Sequence, residues 1–224
     1  MNGFDSVPLF PLPNVVLFPQ AILPLHIFEE RYKTMTADAV EGDRLIAMAL
    51  LKPGWEKNYY HRPAIEPVVC VGQILSHERL ADGKYNFLLR GMVRARVVRE
   101  VGDRHYRQAE LEPVAETPVA EDALAVERRH MQELLGAEPL GTLPGAKQFR
   151  QMLGTDMRTT DVADLLAFSF LEDIMLKQSL LAEGDVRGRV RRIVKALEEL
   201  RPSLAALVSA VSRRSSFPGR PSMN

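Results

Sequence analysis

The side chains with which this chain could do chemistry are few: five histidines, a single cysteine and one lysine in a glycine-spaced run. His26, His61, His77, His105 and His130 form no H-E-x-x-H motif and no His-x-x-x-His pair, and a lone cysteine cannot complete a zinc cluster. His26-Ile27-Phe28-Glu29-Glu30 lacks the second histidine of an inverted zincin motif, so His26 is expected as a structural group at a strand-to-helix junction. Gly141 to Gln148 reads GTLPGAKQ. Its glycine spacing is wrong for a phosphate-binding loop, and Gln148 stands where the magnesium-binding hydroxyl should be. No serine occupies a G-x-S-x-G elbow. Cys70 lies inside the apolar run VVCVGQI, where it is expected as a small buried hydrophobe rather than a nucleophile. The expectation is no catalytic residue, no metal, no cofactor and no enzymatic activity.

What remains is the chemistry of recognition. Lys52 to Pro67 (KPGWEKNYYHRPAIEP) reads as a long loop, and aromatic groups on a loop are candidates for binding. Trp55, Tyr59 and Tyr60 are therefore candidate contacts; equally, they could fold back and cap one end of a barrel. From Arg187 to Arg220 there are nine basic residues and two acidic ones. Arg187, Arg191 and Lys195 share a helix face at i, i+4 and i+8, either as a solvated surface or as a docking patch for an acidic partner or RNA. Over the whole chain of 224 residues, 29 basic side chains balance 29 acidic ones, so net charge gives no signal for nucleic acid or membrane. One cysteine excludes an internal disulfide and fits a reducing compartment. With no targeting segment in evidence, a cytoplasmic location is expected.

The elements that must position these groups begin with an unusual opening. Residues 6–28 contain no Asp, Glu, Lys or Arg, a run long enough to cross a bilayer. Pro8, Pro11, Pro13, Pro19 and Pro24 forbid that reading, since each removes a backbone donor and breaks a helix. Short extended pieces are expected instead at Val7–Phe10, Val15–Phe18 and Ile22–Leu25, with the prolines at strand starts, edges or bulges. Phe28, Tyr32, Met35 and Ala39 then fall on one face of an amphipathic helix. Strands follow at Leu45–Leu51, Val68–Leu75 and Tyr106–Pro113, with a hairpin turn at Ala81-Asp82-Gly83-Lys84. Val93, Ala95 and Val97 alternate with Arg94 and Arg96, which predicts a half-buried strand with its arginines in solvent. After Pro113 strand signals stop. Helices are expected at Ala123–Leu135, Ala146–Leu153 and Val162–Ala182, the last with Asp161 as N-cap and Asp164 as a capping carboxylate. A final helix from Val186 should break or kink at Pro202. Strands in one run and helices in the next indicate an α+β arrangement with segregated parts.

The run PLFPLPNVVLFPQAILPLHIFEERYKTM resembles the opening of the Lon protease amino-terminal domain family: a proline-spaced LFPL, then NVVLFP, then LPLHIFEERY. The resemblance continues through VGQIL and DGKYNFLLRGMVRARVV, covering residues 7–113 well, and more loosely through LEDIMLKQSLLAEGDVRGRVRRIVKALEEL. It implies an N-terminal PUA-like β pseudobarrel over residues 1–115, a C-terminal α-helical bundle over 120–214 and a disordered tail over 215–224. It also implies a non-catalytic module that engages unfolded or extended polypeptides, with an ATP-dependent protease or chaperone as a further partner. The ATPase and Ser-Lys protease parts of Lon are not matched, so the binding role is expected without the enzymatic one. A groove between the barrel and the bundle would be lined by His26, Phe28, Arg31, Tyr32 and Arg90. RNA binding through the basic C-terminal helices ranks second, because fold analogy is a weak warrant.

Overall fold

The computed structural model describes residues 3–59 and 61–215; Tyr60 and the stretch 216–224, which holds nearly all of the expected tail, lie outside it. Six strands come first: β1 (Phe4–Leu12), β2 (Ile22–Ile27), β3 (Leu45–Leu50), β4 (Val68–Arg79), β5 (Tyr85–Val101) and β6 (Arg107–Pro113). One helix, α1 (Glu30–Glu41), sits between β2 and β3. The helical part holds α2 (Ala125–Gly136), α3 (Ala146–Met152), α4 (Thr159–Phe170), α5 (Ile174–Leu181) and α6 (Val186–Ser215). The α+β order is therefore as the sequence indicates.

The sheet closes on itself. β1 pairs in parallel with β3 and antiparallel with β6, and β3–β4, β4–β5 and β5–β6 are all antiparallel. The long β5 shares one edge between two strands: β2 runs along Tyr85–Arg90 and β6 along Ala95–Val101. Small and branched side chains fill the ring, among them Val7, Ala47, Val69, Ala95 and Ala109. The prolines of β1 are accommodated by staggered pairing. Pro8 lies where β1 faces only β6 and Pro11 where it faces only β3, and the two ladders overlap at Leu9 alone. A missing N–H thus costs no ladder bond on the unpaired side. Pro24 lies in β2, which among the described residues pairs with β5 and no other strand.

Five expectations change. Val15–Phe18 forms no strand, although Val16, Leu17 and Phe18 are buried; the segment is held by backbone bonds from Gln20 N–H to Gly91 O and from Gly91 N–H to Ala21 O. The 162–182 helix is broken at 171–173, because the Asp173 side chain accepts from Met175 N–H and Leu176 N–H and starts α5 afresh. Pro202 does not interrupt α6, which runs through it. Arg94 does not face solvent, and Asp164 caps nothing.

Those last two meet. Arg94 Nη2 donates to Asp164 Oδ1 at 2.6 Å, and Arg189 Nε of α6 lies 3.4 Å from the same oxygen. All three side chains are buried, and Glu116 joins Arg94 at 3.4 Å and Arg189 at 2.7 Å. Burial pushes the Asp164 carboxyl pKa up, against the pull of the two guanidiniums. This cluster fastens β5 to α4 and α6. Around it runs a core common to both parts, from Phe18, Cys70 and Leu89 to Leu124, Leu166 and Ile193. Gln178 of α5 adds a buried hydrogen bond to Val68 O at 2.8 Å. Among the described residues no helix is long and apolar enough to cross a membrane.

Candidate functional site

The candidate contacts fall into two groups. His26 and Arg90 lie on the outward face of the β2–β5–β4 section, where register places Ile22 beside Arg90, Pro24 beside Leu88 and His26 beside Asn86. His26 Nδ1 is 2.7 Å from Asn86 Oδ1. Phe28 is not on the buried face of α1: that helix begins only at Glu30, and Phe28 is 62% exposed, its ring 6.3 Å from that of His26. The same outward face carries Leu88, Met92 and Ile22, the last 49% exposed, with Leu75 exposed at the register shift between Ile74 and Ser76. A cleft of about 380 Å³ opens here between Pro24, His26, Ser76, Glu78 and Leu88.

The second group surrounds the start of α1. Arg31 lies over the Tyr32 ring at 4.5 Å and the Tyr59 ring at 4.9 Å, and pairs with Glu29 at 3.0 Å. Tyr59 donates its hydroxyl to Glu29 Oε1 at 2.6 Å, while Trp55 meets Tyr59 edge-on at 5.5 Å. Desolvation, and then the bond to Glu29, raise the Tyr59 pKa. Trp55 and Tyr59 are half-buried, with Tyr59 against Glu29 and Arg31 at the start of α1. Tyr32 is a core residue, 4.5 Å from the Phe10 ring. Tyr60, the remaining loop aromatic named from the sequence, lies outside the described residues.

The basic face of α6 is largely engaged within the molecule. Arg191 donates to Glu127 of α2 at 2.8 Å, Arg187 lies 3.9 Å from it, and Lys195 is 3.7 Å from Glu199. The hydrogen bond from Arg191 holds the Glu127 carboxyl below the usual range. A depressed carboxylate contributes stability above its unfolded pKa of about 4.3, and loses it as pH falls through the lower folded value. Glu127→Gln is therefore expected to flatten the fall of Tm below pH 4.3, as read by scanning fluorimetry; an unchanged slope would assign the acid sensitivity elsewhere.

No group of three or more His, Cys, Asp or Glu poised for a metal exists among the described residues. Burial pushes the Cys70 thiol up to about 12, too high for a nucleophile at neutral pH. The apolar outward face escaped sequence reasoning because YNFLLRGM offers leucine to both sides of the sheet. Counting alternate residues from the Asp82-Gly83 turn would have placed Leu88 and Met92 outside.

Comparison with known proteins agrees with this architecture. The family model described as the ATP-dependent protease La (LON) substrate-binding domain matches residues 6–199. The Lon protease of Desulfosudis oleivorans is 25% identical over 197 residues, covering 86% of this chain and 24% of the relative. Lon protease 2 of Sorangium cellulosum is 26% identical over 205 residues, covering 88% and 25%. The chain thus spans about a quarter of the length of these curated relatives. Among solved structures, the N-terminal domain of the Mycobacterium avium complex Lon protease superposes with a TM-score of 0.68 at 18% identity, over 87% of this chain and 98% of that one. A Lon N-terminal domain protein from Xanthomonas campestris gives 0.59 at 23% identity, over 86% and 98%. With its sheet, its helices and its opening motif all accounted for, the chain belongs to the family of the Lon substrate-binding domain.

Proposed function

We propose that this protein binds extended or unfolded polypeptide segments without chemistry of its own, on the outward face of the β2–β5–β4 section. The observation that carries the reading is the apolar exposure concentrated there: Ile22, Leu75, Leu88 and Met92, with Phe28 at the end of β2. An extended guest is the occupant this surface fits. β2 pairs on one side only, so its other edge offers backbone groups to a further strand, and Pro24 limits how many. Alternate side chains of such a strand would point at the apolar face and the cleft beside Leu88. The family name supports polypeptide engagement, and the relatives' identity as proteases supports transfer of the guest to an ATP-dependent protease.

Covering a half-exposed aliphatic side chain contributes about 0.5–1 kcal/mol. Replacing Ile22, Leu88 and Met92 together by threonine keeps strand propensity and is expected to weaken binding of a fluorescently labelled, reduced and alkylated model protein at least tenfold, with Tm within about 3 °C. Binding should change little between 50 and 300 mM salt, whereas RNA binding would fall steeply. Undiminished binding by the triple variant would overturn the assignment.

A further inference from the structure

Apart from the apolar face, the molecule has a second cleft, of about 410 Å³, whose wall chemistry is of another kind. It lies beside the start of α1, between the loop before β4 and the hairpin joining β5 to β6. Arg31, Arg62, Arg104 and Arg107 line it together with His61 and His105, and among the described residues no aspartate or glutamate does. Tyr32, Tyr106 and Pro11 complete the wall.

The acids that balance these arginines stand outside the lining. Glu29 pairs with Arg31; Glu100 pairs with Arg107 and, at 3.4 Å, with Arg62; Asp38 pairs with Arg104 and accepts from the Tyr106 hydroxyl at 2.7 Å. Three carboxylates outside the lining are thus shared among four lining arginines, one cation more than the acids that pair with them. Two of the four are fixed. Arg107 is buried, with Nε donating to Glu100 at 3.0 Å and Nη1 to Pro63 O at 2.7 Å. Arg31 is sandwiched by Tyr32 and Tyr59, and its Nη2, though 3.0 Å from Glu29, makes no hydrogen bond to any described residue. Arg62 and Arg104 are more than half exposed, at the rim. A buried cationic floor with an exposed cationic rim, and no acid among the described lining residues, is an arrangement for an oxyanion: guanidinium forks match carboxylate and phosphate oxygens two at a time. The volume falls within the range of small-molecule sites.

We propose that this cleft binds a compact polyanionic small molecule carrying carboxylate or phosphate groups, independently of polypeptide binding on the apolar face. Isothermal titration of the full chain with citrate and with pyrophosphate, at 50 mM salt, tests it. Saturable one-to-one binding of at least one probe is expected, and the tighter of the two identifies the group recognised. Arg62→Gln with Arg104→Gln, both at exposed positions, should weaken that binding at least tenfold. Arg187→Gln with Arg191→Gln, distant and equally basic, should leave it unchanged, as should the threonine triple variant of the apolar face. Absence of saturable binding by either probe, or full retention in the Arg62/Arg104 variant, would overturn the proposal without touching the polypeptide reading.

Discussion

Asp164→Ala is expected to lower the unfolding free energy by about 3–5 kcal/mol, the largest effect of any single substitution here. The reason is what the change leaves behind. Arg94 and Arg189 are almost wholly excluded from solvent, and each already has a buried Nε without a hydrogen bond among the described residues. Removing the carboxylate that lies 2.6 Å from one and 3.4 Å from the other strands two guanidiniums in the core, with only the partly exposed Glu116 to offset them. Urea denaturation followed by far-UV circular dichroism measures the loss. Asp164→Asn, which keeps the shape and an acceptor, should recover only part of it. A combined Arg94→Met, Asp164→Leu and Arg189→Met variant should be less damaged than Asp164→Ala, because well-packed apolar groups need no partner. A loss under 1 kcal/mol for Asp164→Ala would show that water reaches the cluster.

Gly91→Ala is expected to be nearly as severe, at about 3 kcal/mol. A β-carbon there would stand 2.0 Å from the Phe18 carbonyl oxygen and 2.8 Å from its carbon, both backbone atoms of a buried segment. Phe18 cannot retreat without breaking the bonds that tie Gln20 and Ala21 to Gly91. The neighbouring Gly72 makes a useful contrast: its added carbon would meet the Leu89 side chain at 2.7 Å, which a rotamer change can relieve, and a backbone atom, the Arg90 carbonyl oxygen, no closer than 3.1 Å. Parallel urea melts of the two alanine variants should rank Gly91→Ala well below Gly72→Ala; the reverse order would mean that the 15–18 segment is adjustable.

How much of this could be read from the chain depends on whether the deciding interaction is local. The β4–β5 hairpin follows from Asp82-Gly83, and Gly83 takes the positive φ of 81° that such a turn requires. The α1 face follows from the spacing of Tyr32, Met35 and Ala39, all buried. Alternation failed at Arg94 because a strand buried on both faces can hold a charge if a distant residue neutralises it, and Asp164 lies seventy positions away. Likewise Asp161, Asp164 and Asp173 are equivalent as cap candidates by type, yet only Asp173 bonds to free helix amides. Of the site groups, Trp55 and Tyr59 were legible as neighbours on one loop, but the charged cleft was not. Its arginines come from α1, the loop before β4 and the β5–β6 hairpin, which only ring closure brings together.

The staggered pairing of β1 bears on how the chain is made. Phe4 lies opposite Leu111 and Leu9 opposite both Ala47 and Arg107, so the first strand cannot complete its ladders until β6 has left the ribosome. Throughout that interval the uncharged, apolar stretch 6–28 is exposed on the nascent chain, in the kind of sequence that other chains readily adopt as a template. Proline at positions 8, 11 and 13 denies such partners a continuous row of amide donors, while the finished sheet, by facing each of Pro8 and Pro11 with a strand on one side only, does without those donors.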